Sequence, residues 1–186
     1  MGDAARMEIR LAGLGGQGIV VAGALLGEAA TLDGLAAAGS SSYGSQARGG
    51  ACRADVVIGR SGFIDFPHVT RPRYLAVMSD EAYRAYLPGL AADGVILFDG
   101  YHVTPVGTDP HPHHEVAATR IALEALGKAQ AANIVLLGAL VGLTGIVGIE
   151  RLREAVRAGF PERFHASNDR ALDLGLAAGL RIGGGR

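Results

Sequence analysis

Tryptophan is absent from the 186 residues, cysteine occurs once, and there are only five phenylalanines and five tyrosines. The lone Cys52 excludes an internal disulfide, and it excludes an iron–sulfur cluster or zinc site built from this chain's own thiolates. Net charge is also missing: 17 lysines plus arginines stand against 18 acidic residues. A nearly neutral chain has no bulk field to hold nucleic acid or an anionic membrane, so neither is expected as a partner. No apolar run reaches the length of a membrane span without glycine breaks, and the opening MGDAAR has no basic stretch leading into an apolar one. A cytoplasmic chain is the expectation.

Small apolar residues fill the space that aromatics leave. Hydrophobic residues make up 49% of the chain and glycines number 29, which predicts a core of short side chains and closely approaching elements. One domain over 1–186 is expected, with residues 1–6 and 183–186 lacking order.

An apolar run from Glu8 to Leu14, broken by Gly15 and Gly16 and followed by helical spacing over Ile19 to Ala30, reads as strand, glycine turn, helix. Leu35 to Ala38 is a second short run, leading into a serine- and glycine-rich stretch from Gly39 to Gly50 that has loop composition. Cys52 to Ile58 alternates as a half-buried strand, and the Ser61-Gly62 turn makes Phe63 to Pro67 its expected hairpin partner. Tyr74 to Met78 is a buried strand, after which Ser79 is placed to cap a helix ending near Pro88-Gly89. Val95 to Phe98 repeats the strand pattern. From there the chain reads as helices over Glu115 to Lys128, Ala132 to Leu143, Ile149 to Ala158 and Asp169 to Leu180, the last with Ser167 as its cap. The predicted class is α/β: a Rossmann-like, mostly parallel sheet covered by helices, with a helical C-terminal part.

Two glycine-rich segments carry the candidate chemistry. Gly13, Gly15, Gly16, Gln17 and Gly18 fit a G-x-G-x-x-G turn between a strand and a helix, where backbone N–H groups and the positive helix end suit a phosphate. A dinucleotide reading also needs an acid at the end of the second strand, and serines follow there. In the second segment, Ser42, Tyr43, Gly44, Arg48, Gly49 and Gly50 place one aromatic and one guanidinium in a loop otherwise poor in side chains, a pattern suited to partner or ligand contact. Catalytic groups are not assigned. His111, His113 and His114 sit among prolines and read as a solvated loop rather than a metal site. Cys52 reads as an inert strand thiol, and Asp65, Asp80 and Asp99 as turn and helix caps near strand ends. The uniformly apolar helix from Ile134 is expected either deep in the core or against another subunit.

The pairing of Gly-Leu-Gly-Gly-Gln-Gly with Ser42-Tyr43-Gly44 and Arg48-Gly49-Gly50 resembles the gamma subunit, or gamma domain, of the 2-oxoacid:ferredoxin oxidoreductases. The Asn133-led helix and the Asn168-Asp169-Arg170-Ala171 segment extend the resemblance over nearly the whole chain. It implies a subunit of a pyruvate-, 2-oxoglutarate-, branched-chain 2-oxoacid- or indolepyruvate-type enzyme that decarboxylates its substrate oxidatively, forms an acyl-CoA and reduces ferredoxin. The resemblance places thiamine diphosphate and Mg on alpha and beta subunits and the iron–sulfur clusters on a further subunit or domain. This chain would then assemble or enclose the active site, with or without touching coenzyme A (CoA). Made alone, it is expected to self-associate through its partner surface. Two other readings stay open from the residues: a self-standing NAD-binding oxidoreductase or redox sensor, and an interaction module without a ligand.

Overall fold

The computed structural model describes residues 6–42, 50–60, 64 and 68–184. Strands are β1 (Arg6–Leu14), β2 (Ala36–Ser42), β3 (Ala51–Gly59), β4 (Tyr74–Val77), β5 (Val95–Asp99) and β6 (His113–Val116). Helices are α1 (Ile19–Leu32), α2 (Asp80–Tyr86), α3 (Ala118–Leu126), α4 (Ala132–Thr144), α5 (Ile149–Gly159) and α6 (His165–Gly183). They build one sheet in the order β2-β3-β1-β4-β5-β6. β1, β4, β5 and β6 are parallel, whereas β3 runs antiparallel between β1 and β2. The mostly parallel sheet expected from the sequence therefore holds on one side of β1 and becomes mixed on the other.

The two faces are unequally covered. α1 and α3 to α6 bury one face through Ile9, Leu11, Ala54, Val56 and Leu97, while α2 and the chain around Leu90 and Val103 cover the other through Leu75, Ile96 and Phe98. β3 is buried on both faces rather than one. Its Asp55 tolerates this because Arg10, directly opposite in register on β1, holds both carboxylate oxygens at 2.7 and 2.8 Å. α4 is buried from Ala132 through Val141, which settles its all-round apolar character: this chain covers it. α6 lies so close that its backbone nearly touches that of α4, and a Cβ built at Gly175 would sit 2.1 Å from the Val135 carbonyl oxygen.

Several expectations need correction. Ala36 to Ser42 is a strand, so Gly39 to Ser42 belong to the sheet and not to a loop; the backbone ladder to β3 overrides their weak strand propensity. His113 to Val116 forms β6, so the helix expected from Glu115 begins at Ala118 instead. Ser79 does cap α2, accepting from the Ala82 N–H at 3.2 Å. Ser167 caps nothing: α6 starts at His165, and the Ser167 hydroxyl donates back to the Phe164 carbonyl at 2.9 Å. Arg6 pairs with Gly59 in β1, and Gly183 closes α6, inside the ranges expected to lack order. The hairpin partner Phe63 to Pro67 lies outside the described residues apart from Ile64, which is not in a strand.

Candidate functional site

The C-terminal ends of β1, β4, β5 and β6 all open at one edge of the sheet. From β1 the chain crosses through α1 to β2 on one side, while β4 lies against β1 on the other. Such a change of direction leaves a crevice at the strand ends, where open α/β sheets take ligands. The Gly13 to Gly18 turn stands in it.

Each residue of the turn has a physical reason. Gly16 and Gly18 hold left-handed backbones, at φ +96° and +73°, which L side chains rarely adopt. Gly18 also has no room, since its Cβ would lie 2.3 Å from the Asn133 amide nitrogen. That amide donates to the Gly18 carbonyl at 3.1 Å, while its oxygen accepts from the Ile134 N–H at 2.9 Å, so the start of α4 clamps the turn. Gln17 folds inward: its carbonyl accepts from the Leu14 N–H at 2.7 Å and its NH2 donates to the Met78 carbonyl at 2.9 Å. Gln17 is thus a brace tying the turn to the end of β4. α1 begins directly after Gly18 with no side-chain cap and no acid in its first turn. Its positive end and first N–H groups are left to whatever anion approaches.

The second candidate segment arrives at the same place. β2 ends at Ser42 and β3 begins at Ala51, opposite Leu14, so both flanks of that loop stand at this sheet edge. The Gly15 N–H donates to the Gly50 carbonyl at 3.4 Å. Ser42 is exposed. Tyr43, Gly44, Arg48 and Gly49 lie outside the described residues.

Two hollows flank the turn and share Gly16. One, of about 210 Å³, lies over the strand ends against Met78, His102 and Thr119. The other, of about 390 Å³, is walled by Lys128, Phe160, Phe164 and Asn168. Asn133 and Asn168, each 6% exposed, were legible in the sequence only as parts of a family resemblance, and Lys128 carried no signal at all.

The remaining candidates are structural. Burial pushes the Cys52 thiol up, which keeps it protonated and poorly nucleophilic at neutral pH. The histidine segment is not a solvated loop. His113 bonds the Tyr83 hydroxyl at 2.7 Å and the His111 carbonyl at 2.8 Å, and the His111 ring lies between Asp109 at 2.8 Å and the Ala91 carbonyl at 3.1 Å. Asp99 accepts from the Thr119 N–H and hydroxyl at 3.2 and 2.5 Å, capping α3, and Asp80 pairs with Arg84 at 2.7 Å. Asp65 is outside the described residues. At the end of β2, where a dinucleotide site needs an acid, stand Ser40, Ser41 and Ser42.

A family model described as pyruvate ferredoxin/flavodoxin oxidoreductase matches residues 8–178. The chain is 40% identical over 177 residues to 2-oxoglutarate synthase subunit KorC of Methanothermobacter marburgensis, an alignment covering 91% of this chain and 95% of that subunit. The keto/oxoacid ferredoxin oxidoreductase gamma subunit of Geobacter sulfurreducens is similar in structure, with a TM-score of 0.81 and 37% identity over 95% of this chain and 97% of that one. The same fold recurs within the 2-oxoglutarate:ferredoxin oxidoreductase of Magnetococcus marinus, solved with 2-oxoglutarate, coenzyme A and succinyl-CoA bound: TM-score 0.86 at 22% identity, covering 95% of this chain and 31% of that one. These likenesses support the gamma-subunit reading and not the NAD-binding alternative.

Proposed function

The chain belongs to the pyruvate ferredoxin/flavodoxin oxidoreductase family, and on that premise we propose that it receives the phosphates of CoA at the Gly13 to Gly18 turn, as the gamma subunit of a 2-oxoacid:ferredoxin oxidoreductase. The observation that carries this reading is the meeting of both glycine-rich segments at one sheet edge, where the Gly15 N–H reaches the Gly50 carbonyl beside the uncapped start of α1. Backbone donors and a positive helix end hold a diphosphate without side-chain chemistry. Ser42, Tyr43, Gly44, Arg48, Gly49 and Gly50 are proposed as contacts to the ligand or the partner subunits; of these, the described Ser42 and Gly50 stand at this sheet edge.

Partner subunits supply thiamine diphosphate with Mg and the iron–sulfur clusters, which together decarboxylate the oxoacid and pass electrons to ferredoxin. This chain's part is to hold CoA by its phosphates, so that the thiol end extends toward the partner, and to keep water from that junction. The complex works in the cytoplasm; among the described residues no helix is long and apolar enough to cross a membrane. 2-Oxoglutarate is the first substrate to try, in view of the likeness to subunit KorC.

A tagged copy of the chain, recovered from its native cells, is expected to bring down thiamine-binding and cluster-bearing proteins. The recovered complex should reduce ferredoxin or a viologen dye with 2-oxoglutarate or another 2-oxoacid, and only when CoA is added. Recovery of the chain alone, without activity, would contradict the subunit reading.

A further inference from the structure

We propose that the outer edge of β2 is a docking strand: an extended segment of a partner subunit pairs along it, setting large apolar side chains at alternate positions into the trough between β2 and α1. This rests on the subunit reading above and adds the place where one partner is held.

The edge supplies the first observation. β2 is the outermost strand of the sheet, and its seven residues pair in unbroken antiparallel register with β3, while no strand lies beyond it among the described residues. Its outward N–H and C=O groups therefore have no ladder, and such an edge recruits another strand unless charge, proline, a bulge or shortness blunts it. The run Ala36-Ala37-Ala38-Gly39-Ser40-Ser41-Ser42 carries neither charge nor proline, and its register has no bulge. The opposite edge of the same sheet is blunted, since β6 has only four residues, His113, His114, Glu115 and Val116. A long uncharged edge is thus particular to β2.

The trough supplies the second. Ala37, Gly39 and Ser41 of β2 and Ala24, Gly27 and Thr31 of α1 line a hollow of about 430 Å³ along this edge, and it shares no residue with either hollow at the glycine turn. Side chains alternate along a strand, so every second residue of a strand added beside β2 points to the α1 side and into the trough. A second copy of β2 would bring only alanine, glycine and serine there, leave most of the space empty and forfeit the packing contacts. Large apolar residues at alternate positions fill it, which points to another polypeptide as the donor of the strand.

Charge narrows the segment further. Glu28 stands at the rim, exposed, with no cation at ion-pair distance among the described residues. The other acid beside the trough, Asp55, gives its carboxylate to Arg10 on the face that α2 covers. One lysine or arginine in the docked segment meets Glu28.

The test uses the purified complex and the isolated chain, kept dilute. Amides of Ala37 to Ser42 that face away from β3 should exchange hydrogen about 100-fold slower in the complex, because the added strand takes them out of solvent. Gly27→Leu fills the trough from a position where a Cβ meets nothing within 4 Å. The variant chain alone should melt no lower than the parent, leucine being the better helix former, yet hold its partner about tenfold more weakly. Glu28→Lys should weaken the same association several-fold. A photo-cross-linker attached through Ser41→Cys, with Cys52 buried and left unlabelled, should join one partner subunit at a segment whose large apolar residues alternate. Unchanged exchange at β2 in an active complex, or full association of Gly27→Leu, would overturn the docking and leave the subunit reading standing. Cross-linking to β2 of a second copy, or to another part of the same chain, would equally overturn it. A chain recovered without partners overturns both.

Discussion

Gly175→Ala is expected to lower the melting temperature by about 10 °C, although the same exchange inside a helix ordinarily stabilises it by about 1 kcal/mol. The reversal has a local cause. An added Cβ at Gly175 would stand 2.1 Å from the Val135 carbonyl oxygen, 2.9 Å from its carbon and 3.0 Å from the Ala139 nitrogen. All three are backbone atoms of α4, so no side chain can turn aside, and the helices must separate along a contact that Gly138, Gly142 and Gly179 also share. Overpacking of this kind costs about 3 kcal/mol or more where the neighbours cannot yield. Gly27→Ala is the control: it lies within α1 with nothing within 4 Å of its would-be Cβ, and it should raise stability slightly. Thermal or urea unfolding of the two variants at one protein concentration checks both signs. Equal behaviour would mean that α4 and α6 do not pack backbone against backbone.

Asp55→Ala is expected to cost about 3 to 5 kcal/mol, the usual result of leaving one partner of a buried ion pair without the other. Asp55 and Arg10 are 3% and 5% exposed and joined by two hydrogen bonds. Arg10 would keep the Val69 carbonyl at 3.2 Å and the Tyr86 ring at 5.2 Å, neither of which balances its charge. The double replacement Arg10→Met with Asp55→Leu removes both charges and fills similar volume, so most of the loss should return. A double-mutant cycle in urea reads the difference. A single substitution costing under about 1 kcal/mol, the worth of a surface pair, would contradict the burial.

The parts of the fold that the sequence reveals are those whose causes are local. β1, the glycine turn and α1 follow from an apolar run, a glycine break and a helical period within about 25 residues. Ser79 signals its helix because a cap bonds three residues ahead. β6 gave no such signal: its residues are His113, His114, Glu115 and Val116, and it is a strand because its backbone pairs with β5 from Ile96 to Asp99. Gly39 to Ser42 pair with Val56 to Arg53 for the same non-local reason.

At the site, the glycine turn between β1 and α1 was legible from spacing, but the groups that hold it were not. Gln17 reads as a ligand contact and serves as a brace to Met78, 61 positions away. Asn133 fastens Gly18 across 115 positions, a separation at which composition and periodicity carry no information. Lys128 and Phe164 come together only because α4 and α6 start side by side.

The affinity of the complex for CoA with and without Gly15→Asp is the measurement closest to the centre of the functional reading. Gly15 is not among the positive-φ glycines, so aspartate brings no left-handed backbone strain there, and it adds a negative charge to the turn proposed to take the diphosphate. Tenfold or greater weakening of CoA binding, about 1.4 kcal/mol, is expected while the subunits stay together. Unchanged affinity in an intact complex would remove CoA from the glycine turn and leave this chain an assembly role alone.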